Sequence, residues 1–220
     1  MSFKIKTLLF YEPKNDKDGN EIYTNFYPLK NGIIIQEEKW LNTEAYYQAM
    51  KFRGESVRHL EYSNLIKEAD TPMKTKMLGH QKKHHYGSKW KVNKKTNSNL
   101  IHDMIDKYSD LKPRANWDIM RIYVMIIAVT AKFIQYPELY KQITSLPDNI
   151  YLVEHTKRDK IWADGGDGGT GKIGLNYLGK ILTALSFILK HGSCETMNPI
   201  LKEKINISLE TLKKSFIIND

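Results

Sequence analysis

The sequence predicts an α+β, mainly helical domain with few short strands, and three observations carry that expectation. Residues 117–135 are apolar on nearly every side of a helical wheel, which marks a central buried helix. Leu175, Leu178, Leu182, Leu185 and Leu189 fall at i, i+3, i+7, i+10 and i+14, one apolar stripe at helical spacing. Seven of the chain's 13 glycines lie between residues 165 and 179, so a glycine-rich loop leads straight into that second helix.

The remaining elements follow in order. Residues 4–11 and 33–40 read as strands, with turn chemistry at Asp18-Gly19 and Asn31-Gly32. Thr43 can cap a helix over 44–53, and a second helix covers about 55–69. Thr71-Pro72 starts a short helix that stops at Gly79, with proline at the first helical position and glycine past the end. Residues 80–112 are polar and weakly patterned, an insertion with a helical turn near 98–107. Pro137 opens a helix to about Ser145, and Ile150–His155 is a short strand. Residues 192–220 form a peripheral extension to a domain covering 1–191. Many helices and few short strands make an α+β domain.

Composition narrows the function classes. A chain of 220 residues with 41% hydrophobic content suits one packed domain with elaborations. The one cysteine, Cys194, excludes an internal disulfide and suits a reducing, cytoplasmic compartment. Residues 1–11 have no apolar h-region after a basic start, so no secretory signal is expected. The apolar run Ile122–Ala131 is too short to span a bilayer, and no membrane partner is expected.

The net charge of +9 is unevenly placed. Between Asp70 and Asp103 there is no acid, and the lysines include Lys82, Lys83, Lys89 and Lys91, with Tyr86 and Trp90 among them. Basic residues with interleaved aromatics suit phosphate backbones and stacked bases. A solvated lysine-rich loop fits the same composition, and the sequence does not decide between them. His80, His84 and His85 have helical spacing but no nearby acid or thiol, so no metal site is expected.

The glycine loop nearly matches two phosphate-binding motifs and satisfies neither. Gly166, Gly168 and Gly171 fit G-x-G-x-x-G, but the nearest strand ends near Thr156 and no strand follows the next helix, as a dinucleotide-binding unit requires. Gly166–Lys172 resembles a P-loop, but the Mg²⁺-binding hydroxyl position is Ile173. What remains is a loop whose glycines permit close backbone approach, running into a helix whose free N–H groups suit an anion. Asp164 and Asp167 add acids that a plain phosphate cradle does not need.

The helix over 44–53 holds a second constellation. Glu44, Gln48 and Lys51 are spaced i, i+4, i+7 and share one face. A carboxylate, an amide and an amine in line on an otherwise apolar helix can face a ligand. They can equally form a partly exposed face, with Glu44 favourable at the positive helix end.

Beyond these local readings, the chain resembles the NADAR (YbiA-like) family. The resemblance rests on Asn25-Phe26, then Trp40-Leu-Asn-Thr-Glu-Ala-Tyr-Tyr-Gln-Ala-Met-Lys-Phe52, then Ala69–Pro72 with Lys76–Gly79. It continues through Asn116-Trp117, Met125, Ala131–Phe133, Leu152–His155, Asp159, Trp162, Asp164–Gly166 and Gly174–Gly179, covering about residues 8–190. Ala45 stands where the family pattern has His, and Ala163 where it has Gly. The segment 80–112 exceeds the family's spacing.

The resemblance implies a single YbiA-like domain that cleaves ribose–nitrogen bonds without metal or cofactor. One branch acts on phosphoribosylamino-pyrimidine intermediates of riboflavin biosynthesis. Another removes ADP-ribose from guanine in nucleic acid. A non-catalytic ADP-ribose or nucleic-acid binding module is the alternative class. Breaking C1′–N builds positive charge on the sugar and negative charge on the departing nitrogen, so a carboxylate and a proton donor are needed. Glu44, Asp159 and Asp164 are the candidate carboxylates. Lys51 and Lys132 can donate a proton, bind phosphate or attack C1′ as an amine. Trp162 can stack on the heterocycle. Gly165, Gly166 and Gly168 are expected to hold the phosphate, and Asn25, Gln48 and Asn176 to bind sugar or base. Each has a plainer alternative: Lys132 snorkelling from a helix end, Trp162 in the core, Asp159 capping a turn and Asn176 as a first-turn polar residue.

Overall fold

A computed structural model describes residues 3–11, 19–81 and 97–205. The elements in order are β1 (Lys6–Phe10), a 3₁₀ turn (Asn20–Tyr23), β2 (Ile33–Ile35), β3 (Glu38–Trp40), α1 (Thr43–Met50), α2 (Val57–Lys67), α3 (Pro72–His80) and α4 (Asn97–Lys107). They continue with α5 (Trp117–Gln135), α6 (Pro137–Thr144), β4 (Ile150–Glu154), α7 (Tyr177–His191) and α8 (Pro199–Ile205). The chain divides into two compact units, one comprising residues up to Tyr27 and from Met125 onward, the other Pro28–Val124.

In the first unit β1 pairs in parallel with β4, Lys6 opposite Ile150 through Phe10 opposite Glu154. The pair is apolar enough to need cover: Tyr151, Leu152 and Val153 are buried. α7 packs against β4, and α6 and α8 pack against α7. The leucine stripe lies on α7, with Leu178, Leu182 and Leu185 buried. Its first member does not, because α7 starts at Tyr177 and Leu175 is 46% exposed. Phe10, Tyr23 and Phe133 pack in series within the core, Phe10 tilted against Tyr23 and Tyr23 stacked on Phe133. Leu201 and Ile205 of α8 are buried, so this part of the C-terminal extension is docked on the unit.

In the second unit the strand expected over 33–40 is a hairpin, β2 antiparallel to β3 with Ile33 opposite Trp40. Gln36 and Glu37 both adopt positive φ, the conformation of a two-residue hairpin turn, so the run folds back on itself despite lacking glycine there. α1 packs on α2 and α3. Its cap is Asn42 rather than Thr43: the Asn42 Oδ1 accepts from the Ala45 N–H at 2.9 Å, and Thr43 is already helical.

α3 also departs from expectation. It runs through Gly79 and ends at His80, with Gln81 in the left-handed conformation as its stop. Gly79 is therefore not a terminator. A Cβ there would meet the Gln48 side chain at 2.2 Å, so the glycine makes room for α1.

Candidate active site

On α1 the polar stripe is buried rather than exposed. Glu44 is 5%, Gln48 2% and Lys51 8% accessible. Gln48 Nε2 donates to Glu44 Oε1 at 2.7 Å, and Lys51 Nζ donates to the Gly79 carbonyl at 3.3 Å. The Lys51 ammonium also lies 5.6 Å from the Tyr47 ring centroid. Burial pushes the Lys51 amine down to about 8, although the nearby Glu44 favours its charged form. Gln48 Oε1 is buried and has no hydrogen-bond partner among the described residues. Native interiors rarely leave such an oxygen unpaired without a reason, and a ligand hydroxyl or amine would satisfy it. Ala45, standing in place of the family's His, is fully buried.

In the other unit Lys132 is 1% exposed, so it does not snorkel to solvent. Its Nζ donates to the Thr24 carbonyl at 2.8 Å and lies 5.2 Å from the Tyr27 and Phe133 ring centroids. Burial alone lowers its pKa to about 7, which leaves a substantial fraction as free amine at neutral pH. Asn25, nearly buried, donates from Nδ2 to the Met125 sulfur at 3.4 Å.

The glycine loop is built differently from a phosphate cradle. Asp164 is fully buried. Its Oδ1 accepts from the N–H groups of Thr156 (3.2 Å) and Gly166 (2.7 Å). Its Oδ2 accepts from the Gly168 N–H (2.7 Å) and lies 2.7 Å from His155 Nδ1. Asp167 accepts from the N–H groups of Gly169, Thr170 and Ile173. The Gly165 N–H goes to the Asp159 carbonyl, and those of Tyr177 and Leu178 at the start of α7 go to the carbonyls of Ile161 and Trp162. The donors expected from Gly165, Gly166 and Gly168 are thus already used, that of Gly165 by a backbone carbonyl and those of Gly166 and Gly168 by the buried Asp164 carboxylate. Gly165, Gly166, Gly168, Gly169 and Gly171 all have positive φ, which is what the winding around two carboxylates requires.

The same unit places three further candidates. Asp159 Oδ1 accepts from the Ile161 and Trp162 N–H groups, the turn-capping alternative. Asn176, in a left-handed conformation, accepts from the Glu154 N–H and donates to the Tyr151 hydroxyl and the Leu152 carbonyl, each at 3.0 Å. It clamps β4 to α7, and both of its amide hydrogens are used in doing so. Trp162 is half-buried with its ring edge-on to Tyr177, centroids 6.2 Å apart.

A consequence for Asp164 is measurable. Burial raises its pKa, but the hydrogen bonds from His155, Gly166 and Gly168 outweigh that and hold it below the usual carboxylate range. Asp164→Asn replaces one acceptor oxygen by a donor facing other donors. Denaturant unfolding is expected to show a loss on the order of 3 kcal/mol. A depressed carboxylate adds stability above its unfolded pKa that is lost as pH falls through the folded value. The variant should therefore lose part of the protein's acid sensitivity. An Asp164→Asn protein as stable as wild type would show that the carboxylate does not organise the loop.

His155 joins the site as a residue that sequence patterning does not mark as functional. Its imidazole, with the side chain 42% exposed, is held through Nδ1 by Asp164, and only its position nine residues before Asp164 signals the pairing. Lys82, Lys83, Lys89, Trp90, Lys91, His84 and His85 lie outside the described residues. Among the described residues no group of three or more His, Cys, Asp or Glu side chains gathers as metal ligands do, and no helix is long and apolar enough to cross a membrane.

Comparisons with known proteins bear on this arrangement. The family model of the NADAR domain matches residues 9–189. An N-glycosidase of Nostoc punctiforme is 29% identical over 163 residues, covering 74% of this chain and 81% of that protein. A riboflavin biosynthesis protein of Vibrio vulnificus is 29% identical over 175 residues, 80% of this chain but only 36% of that longer protein. The NMR structure of the Escherichia coli protein YbiA superposes with a TM-score of 0.61 at 26% identity, covering 90% of this chain and 93% of that one.

Proposed function

Because this chain belongs to the NADAR domain family, we propose that it is an N-glycoside hydrolase that cleaves the C1′–N bond of phosphoribosylamino-pyrimidine intermediates of riboflavin biosynthesis. The observation that carries the reading is the buried Glu44–Gln48 pair with an unpaired Gln48 carbonyl oxygen, beside a lysine whose pKa is lowered to about 8. The N-glycosidase and riboflavin-biosynthesis names of relatives support it.

Glu44 is the carboxylate that stabilises the oxocarbenium-like sugar and activates water. Gln48 positions Glu44 through Nε2 and accepts from substrate through Oε1. Lys51 protonates the departing nitrogen, a task suited to an amine whose pKa lies near working pH. A second route uses an amine as nucleophile. It attacks C1′ of the ring-opened ribosylamine, forms a lysine imine and expels the heterocyclic amine, and water then hydrolyses the imine. Lys51 and Lys132 are the candidate amines, and their lowered pKa values fit that step. Within the other unit Asp159 and Asp164 hold the glycine loop and Asn176 joins β4 to α7, while Trp162 keeps an aromatic face suited to stacking on a heterocycle.

Mass spectrometry of the purified protein with each substrate tests the reading. Release of ribose 5-phosphate and the free aminopyrimidine is the expected result. Borohydride added during turnover should leave a mass adduct on a lysine if the imine route operates. The acid-free lysine-rich stretch between Asp70 and Asp103 favours one other reading, removal of ADP-ribose from guanine in nucleic acid. Release of ADP-ribose from a modified oligonucleotide, with the pyrimidine substrate untouched, would select it. Inertness toward both would leave a binding module.

A further inference from the structure

Within the first unit, the C-terminal part of the glycine loop, the start of α7 and α8 enclose a groove of about 460 Å³. That is the size of a small-molecule site. Its wall on α8, including Ile200 and Lys204, lies beyond residue 189, where the family match ends. That part of the groove is built from residues outside the span of the family match.

Its chemistry is cationic on one side and apolar on the other. Lys204 Nζ donates to the Gly169 carbonyl at 2.9 Å and sits 4.6 Å from the Tyr151 ring centroid. Lys180 also lines the groove, half-buried, and its ammonium has no hydrogen-bond or ion-pair partner among the described residues. Its nearest recorded interaction is the Tyr177 ring at 5.6 Å. Burial and the charge of Lys204 both disfavour the Lys180 ammonium. The one acid in the lining, Glu203, is exposed and pairs with neither lysine. Two cations without a direct acidic partner in a concave site strengthen each other's attraction for an anion. Thr170 adds a hydroxyl at the rim, and the exposed side chains of Leu175 and Ile200 supply apolar surface. Such a surface suits the organic part of a ligand more than a bare inorganic ion.

We propose that this groove binds a small phosphorylated organic ligand, with the phosphate between Lys180 and Lys204 and the organic moiety on Leu175 and Ile200. This goes beyond the N-glycosidase reading and does not depend on it. Protein lacking glycosidase turnover but still binding in the groove would defeat that reading alone, and the converse would defeat this one alone.

Calorimetric titration with ribose 5-phosphate, 5′-AMP and adenosine tests the proposal. Both phosphate esters should bind, and adenosine should bind at least about tenfold more weakly than 5′-AMP. Lys180→Met should weaken 5′-AMP by about tenfold, as the loss of a charge-assisted contact predicts. Lys180→Glu should abolish binding, and Lys180→Arg should retain most of it. Lys204→Met serves as a second variant, with melting curves run alongside because Lys204 also supports the loop. No binding of either phosphate ester, adenosine binding as tightly as 5′-AMP, or unchanged affinity in Lys180→Met would each overturn the proposal. A short oligonucleotide that loses affinity in Lys180→Glu while 5′-AMP does not would overturn it in favour of a nucleic-acid surface.

Discussion

Glu44→Gln is expected to lower kcat by about 10²-fold or more, the cost of losing an acid/base or charge-stabilising group. The fold should survive. The amide oxygen of the new side chain can still accept from Gln48 Nε2, which now holds Glu44 at 2.7 Å. Melting should hold or rise, because a buried carboxylate gives up hydration that a neutral amide does not. Substrate affinity should persist, since Gln48 Oε1 and Lys51 are untouched. Steady-state kinetics with either candidate substrate, together with a thermal melt, separates the possibilities. Near-normal turnover with a collapsed melting temperature would make Glu44 structural. A comparable loss in Gln48→Leu would show that positioning of the carboxylate matters as much as its presence.

That expectation could be framed from sequence because helical spacing alone puts Glu44, Gln48 and Lys51 on one face. Burial could not be read there. It depends on Gly79, twenty-eight residues past Lys51, whose missing Cβ admits the Gln48 side chain and whose carbonyl receives Lys51. Read as punctuation, Gly79 ends a helix; in the structure it lies inside one. Local chemistry cannot distinguish a glycine used to stop a helix from one used to let another helix approach. The hairpin over 33–40 failed for a related reason. Gln36 and Glu37 are poor turn residues by propensity, and their positive φ is imposed by pairing of Ile33–Ile35 with Glu38–Trp40.

The glycine loop misleads in an instructive way. Free N–H groups near glycines suggest a bound anion, and the anions are present within the chain as Asp164 and Asp167. The D-G-G-D-G-G spacing carries the signal, since each aspartate is followed by residues whose N–H groups return to its side chain. The parts that were legible share one property. They depend on residues within a helix, as with α7, where the leucine period and burial coincide at Leu178, Leu182 and Leu185. The parts that were not depend on which side chain fills which backbone gap.

Lys132→Met should make the protein more stable and less sensitive to pH. The ammonium is fully buried, with one carbonyl and two aromatic faces recorded around it, and burial lowers its pKa from the ordinary lysine value to about 7. Between that value and the unfolded pKa the unfolded chain binds the additional proton. Wild-type stability should therefore climb as pH rises from about 7 toward 9, and the full penalty is present below 7. The raised pKa values of the buried Tyr23 and Tyr62 oppose this trend only near the ordinary tyrosine range and above. Methionine keeps the length and flexibility of the stem without the charge. The gain near neutral pH should be of the order of a few kcal/mol, read by denaturant unfolding across the pH series. If Lys132 is the amine that attacks C1′, the stabilised variant should also lose turnover and the borohydride-trapped adduct. Lys51→Met should then retain the adduct while losing rate through slower leaving-group protonation. A flat wild-type pH profile and an unchanged Lys132→Met midpoint would show that the buried ammonium carries no such penalty. Stabilisation with full turnover would remove Lys132 from the imine route and leave Lys51 as its remaining candidate.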